Sequence, residues 1–85
     1  MKYRLVYTRR AERNIQGLDP GIRERLGKSL LQYSENPLKH AEKLTGSSLG
    51  DFRFRIGDYR VIFDVLGDEI ILLRVGHRRE IYRRR

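Results

Sequence analysis

Two Gly-Asp pairs ten residues apart, Gly57-Asp58 and Gly67-Asp68, each join runs of alternating or β-branched apolar residues. A two-residue connection led by glycine suits only a tight hairpin, so residues 51–56, 59–66 and 69–75 are predicted to form a three-stranded antiparallel meander. Across the first turn, in FRFRIGDYRVIF at 52–63, Ile56 pairs with Tyr59, Arg55 with Arg60, Phe54 with Val61, Arg53 with Ile62 and Phe52 with Phe63. Side chains alternate along a strand, so Phe52, Phe54, Ile56, Tyr59, Val61 and Phe63 share one face and Arg53, Arg55 and Arg60 the other. Like charges directly opposed across strands cost a few tenths to about 1 kcal/mol, and an anion seated between Arg55 and Arg60 would remove the conflict. Carried unbroken through the second turn, the register sets Ile71, Leu73 and Val75 beside Asp64, Ile62 and Arg60. The arginine face then has an apolar floor and one acid, Asp64, able to pair with an arginine as on an ordinary solvated face. Arg74 falls on the core face, where its stem would snorkel near the strand end.

Upstream, KYRLVY at 2–7 alternates as a half-buried strand does. Thr8 is a candidate cap for a short helix carrying Ala11, Ile15 and Leu18, which Gly17 would end. Asp19 followed by Pro20 opens a second helix whose stripe is Ile22, Leu26, Leu30 and Tyr33, closed by Glu35-Asn36-Pro37. Periodicity then vanishes, and 37–50 is predicted as a connecting loop with its turn at Gly46-Ser47-Ser48. Strand, two-helix hairpin, three strands: the order predicts an α+β domain over 1–85, with the helices on one face of a four-stranded, mainly antiparallel sheet.

With 39% apolar residues in 85, the chain supports one modest core. The absence of cysteine excludes disulfides, thiolate zinc sites and cysteine nucleophiles, and His40 and His77 are too few for a metal cage, so no metal or cofactor is expected. The N-terminus MKYRLVYTRR is charged throughout and the longest later apolar run is Ile70-Ile71-Leu72-Leu73, which predicts a soluble, cytoplasmic protein. The net charge is +8, and 15 of the 19 basic residues are arginine. Arginine suits bidentate phosphate contacts and stacking on bases, so RNA or DNA is the first polyanion to consider.

The last segment, VGHRREIYRRR at 75–85, mixes arginines with His77 and Tyr82. Metal-free cleavage of RNA needs a base for the ribose 2′-OH, an acid for the leaving 5′-oxygen, and cations for the charge that builds on phosphorus. Arginines fill the third role; guanidinium hardly deprotonates, which leaves His77, His40, Tyr82, Glu42 and Glu80 for the first two. Tyr82 is open to three roles: a base, a ring on which a nucleobase stacks, or core.

In these stretches the chain resembles the RelE/ParE superfamily of toxins from prokaryotic toxin-antitoxin pairs, and within it the RelE-like ribosome-dependent mRNA interferases. The residues that carry the resemblance are the strand-helix-helix-loop opening, the approach from Leu44 to Gly50, FRFRIGDYRVIF at 52–63 and LLRVGHRREIY at 72–82. It implies a small RelE-like fold that cleaves mRNA in the A site of the 30S ribosomal subunit by 2′-OH attack. Arg60 then matches the phosphate-stabilising arginine after the turn, Arg78 the arginine after the final strand, and Tyr82 the C-terminal stacking tyrosine. Arg53 and Arg55 stand where relatives place basic residues, one of them often a lysine proposed as general base; both are arginine here, which leaves His77, or Glu42 by similarity to the YoeB-like branch. Arg79 and Lys43 join Arg53, Arg55, Arg60 and Tyr82 as residues expected to touch RNA. The resemblance also implies a RelB-like antitoxin that masks the basic face and alone contacts operator DNA. Two other activities fit the same fold: gyrase inhibition of the ParE type, and RNA binding without cleavage.

Overall fold

The computed structural model of the protein describes residues 2–82; Arg83-Arg84-Arg85, the end of the arginine-rich last segment and by themselves no more than a basic tail, lie outside them. Along the chain run β1 (Arg4–Tyr7), α1 (Arg9–Gln16), α2 (Pro20–Tyr33), the single turn α3 (Pro37–His40), β2 (Glu42–Lys43), β3 (Phe52–Ile56), β4 (Tyr59–Leu66) and β5 (Glu69–His77). One sheet of order β1-β5-β4-β3-β2 results, with β1 parallel to β5 and every other pair antiparallel. The α+β arrangement is the one expected, with two corrections. The sheet has five strands rather than four, and the predicted loop at 37–50 holds both α3 and β2. Neither could be read from periodicity, because one turn and two residues are shorter than either repeat.

Local chemistry explains the boundaries. Thr8 Oγ1 accepts from the Ala11 N–H at 3.1 Å and donates to the Leu72 carbonyl at 2.8 Å, so one hydroxyl starts α1 and ties it to β5. Gly17 ends that helix, its N–H reaching the carbonyls of Arg13 and Asn14. Pro20 stands in the first turn of α2 beside Asp19, whose side chain makes no capping bond. Gly57 and Gly67 have φ of 60° and 61°, while no other residue type has positive φ among the described residues. Both turns are therefore of the kind with glycine first, which matches the twist of the flanking strands.

The register of β3 on β4 is as predicted for all five pairs, Arg55 opposite Arg60 included. Phe54, Ile56, Val61 and Phe63 accordingly meet Ala11, Leu26 and Leu30 from the helices in one core, with Ile70, Leu72 and Val75 from β5. Phe54 stacks on Phe63 at 4.1 Å between ring centroids.

The register of β4 on β5 departs from expectation. Phe63 pairs with Leu72, but Ile62 pairs with Arg74, so Leu73 is left over as a bulge. Below it the core positions are Ile70 and Leu72; above it the parity changes and Val75 turns inward opposite Val61. Val75 is therefore core rather than floor of the arginine face, Gly76 stands opposite Arg60, and Arg74 leaves the core face to lie opposite Ile62. Arg74 lines a cleft of about 350 Å³ with Arg10, Asn14 and Glu80. Beyond the end of β1, Asn14 of α1 takes over as edge partner, its Oδ1 accepting from the Val75 N–H at 3.0 Å.

The loop before β3 folds back over the arginine side of the sheet. A Cβ on Gly50 would lie 2.7 Å from Ile62 Cγ2 and 2.8 Å from Leu73 Cδ1, which is why Ile62 is fully buried on a face that carries arginines. Gly50→Val is expected to lose about 1–3 kcal/mol in urea denaturation through overpacking, with Gly50→Ala between it and wild type. A Gly50→Val midpoint equal to wild type would show that the loop does not press on the sheet.

Candidate functional site

Strand alternation brings Arg53, Arg55 and Arg60 to one face, and the chain after β5 closes over it. The Arg78 N–H donates to the Asp58 carbonyl at 2.7 Å, and the N–H groups of Glu80 and Ile81 bond to the His77 carbonyl. The chain thus turns sharply at His77. Ile81 is buried against Gly76, where a Cβ would sit 3.2 Å from its Cδ1. Glycine opposite Arg60 lets the C-terminal turn lie flat, and Tyr82 follows directly onto Arg53. The Arg53 Nη1 donates to the Tyr82 hydroxyl in a short bond, and the guanidinium carbon is 5.9 Å from the ring centroid. Tyr82 remains 45% exposed.

Arg60 is the buried cation of the site, at 8% exposure. Its Nη1 donates to the carbonyls of Gly57 at 3.0 Å and Tyr59 at 2.9 Å. Among the described residues no carboxylate pairs with it. Burial disfavours its charged form, and the neighbouring charges of Arg55, Arg53 and Arg78 push the same way, so its pKa is lowered. Guanidinium still holds its proton at any ordinary pH. What results is a concentrated positive potential short of one anion.

The acid that pairs with arginines on this face is Glu42; Asp64 lies on the same face as expected but meets no arginine among the described residues. Pairing of β2 with β3 sets Glu42 opposite Arg53, and its Oε1 accepts from Arg53 Nε at 2.8 Å and Arg55 Nε at 3.0 Å, with Arg53 Nη2 at 2.6 Å. Asp64 instead accepts from the Asp51 N–H at 2.7 Å and so pins the loop that covers Ile62. Opposite charges on either side of the Gly46-Ser47-Ser48 turn were the available signal for Glu42, and two residues of strand are too few to make it stand out. Arg78 approaches Asp58 at 3.6 Å across the turn, a half-exposed pair.

Hydrogen bonding from Arg53 holds the Glu42 carboxyl below its usual range. A depressed folded pKa contributes stability above the unfolded value, lost as pH falls through the folded one. The Arg53 Nε–H resonance is therefore expected to stay in place from neutral pH down through the ordinary carboxylate range near 4 and to shift only below it. A shift centred at or above the ordinary value would refute the clamp.

Not every expected residue joins the face. Register places His77 opposite Tyr59, on the helix side of the sheet, with the two rings edge to face at 5.5 Å. Its Nδ1 accepts from the Arg79 N–H at 3.1 Å. Lys43 pairs with Phe52 and is likewise turned from the arginine face. His40 stacks on Tyr33 at 4.4 Å beside the core, and Glu80 belongs to the Arg74 cleft. Arg53, Arg55, Arg60, Arg78 and Tyr82 do converge, and Arg79 is exposed beside them in sequence. Among the described residues no set of three or more acidic or histidine side chains is arranged to hold a metal ion, and no helix is long and apolar enough to cross a membrane.

Three comparisons agree with this geometry. A family model described as ParE toxin of type II toxin-antitoxin system, parDE, matches residues 5–82. Toxin RelG of Mycobacterium tuberculosis is 31% identical over 87 aligned positions, covering 99% of this chain and 100% of the relative. Among solved structures, the toxin-antitoxin complex RelBE2 of M. tuberculosis matches with a TM-score of 0.82 and 26% identity over 91% of this chain and 99% of that one. The archaeal RelE-RelB complex from Pyrococcus horikoshii gives 0.75 and 26% over 94% and 99%, and the isolated Escherichia coli RelE toxin 0.73 and 26% over 88% and 83%. A family match along almost the whole chain, joined to a relative of nearly the same length, means that this protein belongs to the RelE/ParE family of toxins of type II toxin-antitoxin systems.

Proposed function

We propose that the protein is a cytoplasmic, ribosome-dependent endoribonuclease that cleaves mRNA in the A site by 2′-OH attack and is held in check by a RelB-like antitoxin. The observation that carries this reading is Arg60, a buried guanidinium whose hydrogen bonds among the described residues go to carbonyls and which is surrounded by Arg53, Arg55 and Arg78. A phosphate turning pentacoordinate is the anion such a site suits, because its charge grows as the reaction proceeds. In the step, the 2′-oxygen bonds to phosphorus and the P–O5′ bond breaks; the 2′ proton leaves to a base and the 5′-oxygen gains one. Tyr82 accepts from Arg53, so its own hydroxyl proton is free to point toward the leaving oxygen while the exposed ring offers a surface for a base.

With His77 on the other side of the sheet and Glu42 bound to two arginines, the site has charge stabilisation in excess of acid-base groups. A ribosome that holds the scissile bond in line would supply the missing rate through orientation. Relatives solved with RelB support an antitoxin partner, and an acidic segment would relieve the +8 charge.

Primer extension on a defined mRNA, with and without ribosomes, tests the reading. Cuts within A-site codons that appear only with ribosomes are expected; their absence from folded protein would overturn it. The same shortage of acid-base groups, and the ParE description of the matching family model, favour gyrase inhibition as the second reading. Inhibition of supercoiling by purified gyrase is its signature.

A further inference from the structure

Glu42 sits on the arginine face, accepts all its bonds through one oxygen, and belongs to a strand of two residues that exists only because of its pairing with β3. Three elements meet through it. β2 supplies the carboxylate, β3 supplies Arg53, and the C-terminal turn supplies Tyr82, which Arg53 reaches with Nη1 while Nε and Nη2 stay on Glu42. A free arginine side chain samples many rotamers, and one held at two of its nitrogens has its third aimed. The nearby Arg60 repels Arg53, so without a counter-charge the guanidinium would swing away from the cluster.

We propose that Glu42 is a positioning residue, which through Arg53 fixes Tyr82 and the C-terminal turn above Arg60 and takes no part in proton transfer. The catalytic half of this statement rests on the endoribonuclease reading; the positional half does not. A carboxylate whose one oxygen already receives N–H bonds from Arg53 and Arg55, with Arg53 Nη2 close by, has little basicity left for a ribose hydroxyl. Glutamine at the same place keeps a carbonyl oxygen that accepts from both arginines and cannot act as a base.

The test compares Glu42→Gln and Glu42→Ala with wild type. Hydrogen exchange of the Glu80 and Ile81 amides, together with the Arg53 Nε–H and Tyr82 ring resonances, reports position without any appeal to activity. Near wild-type protection and shifts are expected in Glu42→Gln, and protection reduced tenfold or more with displaced Tyr82 signals in Glu42→Ala. Unchanged amides and Tyr82 signals in a folded Glu42→Ala would overturn the proposal. On ribosomes, cleavage by Glu42→Gln is expected within about tenfold of wild type and that by Glu42→Ala lower by a further tenfold or more. Equal losses of 100-fold or more in both variants, with loss of the acidic limb of the pH-rate profile, would make Glu42 the base and overturn it as well. Failure of wild type itself to cleave refutes the endoribonuclease reading and leaves the exchange and resonance measurements to decide on positioning.

Discussion

Arg60→Met is expected to reduce ribosome-dependent cleavage by at least about 100-fold, the scale for removing one donor to a developing oxyanion, while leaving the thermal midpoint within a few degrees of wild type. The two halves have one origin. Among the described residues Arg60 is buried without a carboxylate partner and is surrounded by like charge, so the folded chain holds a cation whose charge contributes little to stability. Replacing a buried charge by an apolar side chain of similar length is often neutral or stabilising. The lost bonds to the Gly57 and Tyr59 carbonyls oppose this, and those oxygens lie beside the hairpin turn. Cleavage assays and a thermal melt on one preparation check both halves. A variant that melts far below wild type would mean that Arg60 is a structural strut, and one that cuts normally would remove it from the site.

The other large effect lies on the opposite face. Phe54→Ala is expected to destabilise the fold by about 3–5 kcal/mol, a large share of the 5–15 kcal/mol available to a domain. Phe54 is fully buried, stacks on Phe63 at 4.1 Å and meets Tyr33 at 5.0 Å. The cavity would open at the centre of the sheet, where β3 and β4 hold the backbone and collapse is difficult. In urea the midpoint should fall by about 1–5 M, given slopes of about 1–3 kcal/mol/M. Phe52 provides the internal control: it is only half-buried and its ring is 5.6 Å from Phe63. A Phe54→Ala variant no less stable than Phe52→Ala would contradict the packing described.

The parts that could be read from sequence were those where covalent geometry leaves few choices. Gly57-Asp58 fixes a two-residue turn, the turn fixes five strand pairs, and alternation then sorts phenylalanines from arginines. The convergence of Arg53, Arg55 and Arg60 follows from those facts alone. The position of His77 did not, because Leu72 and Leu73 are both apolar and carry no mark of which one the ladder omits. Glu42 was visible as an acid and opaque as a clamp, since its role depends on two residues of strand held by the arginines it binds. Arg78 and Tyr82 were named from resemblance. Their placement comes from Ile81 against Gly76, a contact that no periodicity announces.

The extra residue at Leu73 also decides which changes of length this chain can survive. Everything beyond it, from Val75 in the core to Tyr82 over Arg53, keeps its facing because the ladder leaves this one residue out of the count from the Gly67-Asp68 turn. Removing position 73 would restore a regular ladder, with Leu72 opposite Phe63, Arg74 opposite Ile62 and Val75 opposite Val61, and leave every later side chain on its present face. Substituting its side chain disturbs only its neighbours. In alignments of such chains, a one-residue gap between this turn and the glycine before His77 is therefore compatible with the same C-terminal site.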